Sequence, residues 1–535
     1  MGSRHDPKMA EEDIVEAHPV SHFDDDGKLP ASTVADRWRG TAADKRDMAV
    51  LGRTQVLRRN FKFTAILGFS STVLVAWEIL PVISVYALQD GGTAIIFWGL
   101  IAGIIGMSFV YASLAEMASM FPTAGGQYHW VSELAAPTWQ KPLSYFVGWL
   151  TAMGWQVYLA GICFMVGSVL QGLIVLNNLD TYVYASWHGT LLTIAVILFA
   201  SLFNTVLAVR LPLIEGIMLV IHIAGLFAII IPLWIMAPRG DAYTTLLTFP
   251  TTAGWMNQGL AALIGMCNPI GILVGYDCSV HMSEEVQDAG YVLPRALMWT
   301  VVPNGIMALL MGLTFIFCLG DIETVLASPT YEPFIQVFYN ATQSNAATTI
   351  MTLIIALMLT SACISEVATA SRQLWSFARD RGVPFSSWLA HVTPGSNIPI
   401  RAVYVSIIIS SLLSLINIGS YVALNAISSL GVVSLLSSYT VTISCMIWRR
   451  RRGAPLPPAR WSLGKYGLAI NIISLLFVLP VWFFAFWPVG YQPTPEGLNW
   501  APVMFVGVLS LAAIYYVVKA RHVYNGPVTI VKRDE

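Results

Sequence analysis

Behind a polar opening stretch, apolar runs about as long as a bilayer is thick alternate with short polar breaks. A hydrocarbon core about 30 Å thick takes about 20 residues of helix at 1.5 Å per residue. Twelve runs meet that length, centred in 63–88, 93–119, 143–175, 186–208, 211–237, 257–282, 297–320, 346–370, 400–418, 421–447, 464–488 and 500–518. Barrel strands would be half as long and would alternate apolar with polar positions, which these runs do not. The pattern predicts an all-α integral membrane protein with 12 transmembrane helices, preceded by a largely disordered tail (1–60) and followed by a second tail (521–535).

Two of the runs are interrupted. The first carries Glu78 at mid-depth with Pro81 three residues on; the sixth carries Asn268-Pro269-Ile270-Gly271 followed by Gly275-Tyr276-Asp277. Backbone unwound at membrane depth survives only where protein or water covers it. Interruptions at corresponding places in two halves of a chain mark a central binding site. The halves would be two five-helix repeats, about 63–237 and 257–447, with helices 11 and 12 (464–518) outside them. The plainer alternative makes Pro81 and Pro269 simple kinks.

Charge sets the orientation. With the N-terminus inside, 28 of the 29 Lys and Arg residues fall on the inner side and only Arg239 outside, as the positive-inside rule requires. Both termini are expected in the cytoplasm. Only 11% of the 535 residues are charged, the net charge is −1 and no basic patch is present, so nucleic acid is not a partner. The six cysteines lie in apolar runs without metal or disulfide spacing, and no metal or cofactor is implied. Enzyme signatures such as GxSxG or HExxH are absent. Asn340-Ala341-Thr342, in an expected outer loop, fits a glycosylation acceptor.

Several stretches resemble the fungal amino acid/choline transporter family, a branch of the amino acid-polyamine-organocation superfamily with the leucine-transporter fold. They are Thr72 to Glu78, Ser113 to Ser119 running into Pro122-Thr123-Ala124-Gly125-Gly126-Gln127-Tyr128, Gly275-Tyr276-Asp277 with His281 to Val286, Pro333 to Asn340, and Ser371 to Asp380. The resemblance implies a permease, a secondary carrier of an amino acid or small amine such as choline or 4-aminobutyrate, proton-coupled and working by alternating access in the plasma membrane rather than the vacuolar one. It also implies a monomer. The alternatives are a nutrient sensor on the same fold or an exporter of a nitrogenous metabolite.

By the same resemblance the breaks contact substrate, through Val75, Ala76, Trp77 and Glu78 in the first span and Asn268, Ile270, Gly271, Gly275, Tyr276 and Asp277 in the sixth. Val75-Ala76-Trp77 stand where other branches carry Gly-Ser-Gly. Trp77 beside Glu78 suits a cationic headgroup, or else packs. His222, about 16 Å into the fifth span, and Glu366 in the eighth are the candidates for carrying the coupling proton. The cytoplasmic gate would comprise Glu116, Gly125, Gly126, Tyr128 and Arg372. Most of the arginines there read as topology anchors, and Glu284 and Glu285 as solvated loop acids.

Overall fold

The computed structural model describes residues 32, 34–419, 421–495, 497–524 and 526–527. Most of the expected N-terminal tail (1–31 and 33), most of the C-terminal one and Glu496 lie outside the described residues. Among the described residues, eleven helices are long and apolar enough to cross a membrane, and the only β pairings are isolated bridges. Most of the eleven run without a break at membrane depth, although Ile400–Gly419 is interrupted at Leu415. The first, Phe63–Ser84, is built of two helices that meet at Val75.

The sixth run is the one that does not form a long helix. It is broken into Gln258–Gly265, Cys267–Gly271 and Cys278–His281. A proline at 269 and glycines at 271 and 275 deny it regular propagation, and Gly275 turns at φ 122°. The first span breaks more sharply. Phe63–Leu74 ends at Val75, whose φ of 40° and ψ of 48° are left-handed, and Ala76–Gln89 resumes at once. A β-branched residue there is strained by about 1–3 kcal/mol and is held by complete burial.

The first span and the long third span, Gln140–Asn177, are the most enclosed, whereas the last, Ala501–Val523, is mostly exposed. The fifth, Leu211–Met236, shows Val220, Ile223, Phe227 and Ile231 on its surface, a helical stripe suited to lipid. Glycines let the central spans touch backbone to backbone. A Cβ on Gly68 would lie 2.6 Å from the Glu215 carbonyl oxygen, and one on Gly265 only 1.8 Å from that of Asp90.

Residues 34–60 of the expected tail, with Phe61, are folded onto the N-terminal face. Ala42–Val50 is a helix with a Thr41/Asp44 capping box, and Phe61 pairs with Val286. The mixed charges that suggest a solvated tail find partners instead. Arg53 bonds Asp380 at 2.5 Å, Arg59 pairs with Asp44 at 3.2 Å, and the Asp44 carboxylate accepts from the backbone N–H groups of Asp288 and Ala289.

Candidate functional site

A cavity of about 480 Å³ lies between the first, third, sixth and eighth spans. Its lining reaches Tyr331–Pro333 and Gly497–Asn499 on the face opposite the N-terminal segment, and descends to Val73, Leu74 and Glu366. Of the expected substrate contacts, Asn268 and Gly271 line it; Val75–Glu78, Ile270 and Gly275–Asp277 do not.

Trp77 and Glu78 turn toward the fifth span. The Trp77 indole N–H donates to the His222 carbonyl at 3.1 Å. Glu78 Oε1 lies 2.6 Å from His222 Nδ1, and His222 Nε2 donates to Asn304 Oδ1 at 2.8 Å. All three side chains are buried, so one imidazole joins the first, fifth and seventh spans.

The unwound part of the sixth span is held by a residue of the second span, Gly92–Met120. The Tyr111 hydroxyl donates to the Leu273 carbonyl at 2.9 Å and accepts from the N–H groups of Gly275 at 2.8 Å and Tyr276 at 3.1 Å. Asp277 just beyond accepts from Gln127 Nε2 at 2.6 Å and from the Tyr439 hydroxyl, with His281 Nε2 at 3.6 Å. The ring N–H of His281 at Nδ1 donates to the Ala124 carbonyl at 2.9 Å. Gly126, at φ 54°, turns the chain there and lies under His281, so the Ala124-Gly125-Gly126-Gln127 stretch meets the sixth span through Asp277.

The N-terminal face is closed by buried ion pairs. Arg372 bonds Glu285 at 2.8 Å, and Arg379 grips Glu284 through two bonds of 2.8 and 2.9 Å. Glu284 and Glu285 are therefore buried partners of eighth-span arginines, not solvated loop acids; the arginines lean across the loop and replace its water. Burial alone would raise the Glu284 carboxyl, but the Arg379 guanidinium holds it down at about 2. Tyr128 donates to Asp380 at 2.8 Å. Glu116 meets Arg450, the Ser462 hydroxyl and the Leu463 N–H rather than Arg372. Asn340 lies in the helix Pro333–Thr342, its side-chain oxygen accepting from Gln336 at 2.8 Å.

Sequence reasoning passed over Glu215. Its carboxylate accepts from Thr72 of the first span at 2.7 Å and from Ser365 of the eighth at 2.6 Å. The signal was present: an acid inside an apolar run, one helical turn after Pro212.

Residues 61–509 match the model of the amino acid permease family. Similar proteins include amino-acid permease 2 of Neurospora crassa, 26% identical over 94% of this chain and 92% of the relative. The choline transporter of Saccharomyces cerevisiae is 28% identical over 88% and 83%. A putative amino acid/polyamine transporter of Macrophomina phaseolina is 28% identical over 77% and 91%. A chain of membrane-spanning helices, broken at the first and sixth, whose greater part matches one family along its length, belongs to the amino acid permease family.

Proposed function

We propose that this permease is a proton-coupled secondary carrier of an amino acid or small amine, working by alternating access in the plasma membrane with both termini cytoplasmic. The supporting observation is the asymmetry of the bundle: a cavity lined by residues of one face ends near the two helix breaks, while buried ion pairs close the other face. On this reading the N-terminal face is the cytoplasmic gate, and the two five-span halves, about 63–237 and 257–447, move against each other.

The coupling proton is assigned to the Glu78–His222 pair. Together these groups hold one proton and no net charge; losing it leaves a single negative charge in a low-dielectric interior, a state the bundle tolerates only by rearranging or admitting water. Because Asn304 holds the far side of the imidazole, the rearrangement involves three spans. The test is uptake of labelled choline, 4-aminobutyrate, polyamines and amino acids into proteoliposomes under imposed pH or sodium gradients. A pH gradient should drive accumulation in the native chain, and His222→Gln should abolish accumulation while leaving substrate exchange. Accumulation by His222→Gln equal to the native chain would refute the coupling assignment.

A further inference from the structure

The cavity is acidic and offers no counter-charge. Asp90, Glu332 and Glu366 line it, and among the described residues its lining holds no Lys, Arg or His. Glu332 accepts from the Ser168 hydroxyl. Both carboxylate oxygens of Asp90 and Oε2 of Glu366 are buried without any hydrogen-bond partner, although Asp90 and Glu366 are only 1% and 2% exposed. A desolvated carboxylate oxygen with no partner is unfavourable unless a guest supplies a donor or a compensating positive charge.

The acids stand at different depths. Ser365, next to Glu366, and Thr72 bond the same Glu215 carboxylate, which sets Glu366 level with the break at Val75. Asp90 caps the far end of the 14-residue half-helix Ala76–Gln89, about 21 Å away at 1.5 Å per residue. Tyr158 and Trp487 also line the cavity, and aromatic faces attract ammonium groups. A substrate carboxylate would meet three acids there. The lining amides Asn268 and Asn499 already donate to the carbonyls of Ile83 and Ala485.

We propose that this cavity selects substrates of net positive charge, quaternary ammonium compounds or polyamines, over zwitterionic amino acids. Asp90 and Glu332 draw the cation in at the mouth, and Glu366 receives its ammonium group at the floor. This rests on the carrier reading and narrows its substrate class.

The test uses the full chain in proteoliposomes with labelled choline and spermidine against 4-aminobutyrate, leucine and glutamate. Choline or spermidine should enter with an apparent KM at least about 10-fold below that of any zwitterion, the equivalent of one unit in the logarithm of affinity. Glu366→Gln should raise that KM about 10-fold or more, with Glu366→Asp recovering part of it. Asp90→Asn should raise it several-fold at low salt and less at about 0.3 M, where screening shortens the reach of the mouth charges. A matching gel-filtration profile for each variant separates binding from misfolding. Robust uptake of leucine or 4-aminobutyrate with the cations excluded would overturn the inference and leave the carrier reading standing. No uptake of any solute under any gradient would remove both. Lost accumulation in Glu366→Gln at an unchanged KM would make Glu366 a proton carrier and overturn its assignment to the ammonium.

Discussion

Tyr111→Phe isolates the cost of keeping the sixth span unwound. A phenol has one proton to donate and two lone pairs to accept. Tyr111 uses all three, on Leu273, Gly275 and Tyr276. The ring stays where it is in the variant, edge-on to Tyr276 at 5.2 Å and to Tyr439 at 6.1 Å, so the change removes hydrogen bonds and little else. Two N–H groups and one carbonyl are then left without a partner in a buried region, at about 1–3 kcal/mol each. The space of a lost hydroxyl oxygen is tight for a water with enough polar partners. Some relaxation of the segment is expected, which places the total near the low end, about 3 kcal/mol. The assay is reversible unfolding in mixed micelles, followed by circular dichroism, beside initial uptake rates. The variant should lose about 3 kcal/mol and most of its transport rate. A loss below about 1 kcal/mol with native uptake would refute the view that this hydroxyl holds the broken segment.

Glu215→Ala removes the acceptor shared by Thr72 and Ser365 and should cost about 3 kcal/mol in the same unfolding assay; Thr72→Val should cost less, because Ser365 keeps its bond. Arg379→Ala leaves Glu284 charged and buried and should destabilise by about 3–5 kcal/mol, whereas replacing both by apolar residues should recover much of the loss. The pH response of that pair follows from its sign. Glu284 in the folded chain lies at about 2, below its ordinary 4.5, so its stabilising contribution is complete above about pH 5 and is lost progressively as pH falls from there through 2. Closure at this pair should therefore be flat between pH 5 and 8, checked by the labelling rate of a cysteine introduced beside Arg379.

Local patterns in the chain announce the spans, and Pro269 with its neighbouring glycines announces the broken sixth, because backbone chemistry is written at the position it affects. Partner choice is not. Glu78 meets His222 across 144 positions, and no spacing rule reveals that the acid faces the fifth span rather than a ligand. Glu284 and Glu285 read as loop acids until arginines about 90 residues later in the chain are seen to cover them. Asp90 and Glu332 give no local sign of their burial for the same reason: Asp90 lies against Gly265 and Glu332 against Ser168, each far away in the chain.

The short stretch ahead of the first span adds a consequence of its own. Arg53 bonds Asp380, and Arg59 donates to the carbonyls of Ser283 and Val286, so parting the closed side of the bundle means peeling away a piece of chain that never enters the lipid. Under the proposed alternating access, the preference between conformers is thereby tied to an aqueous strap. Whatever tightens or loosens that strap adjusts the resting state from outside the bilayer.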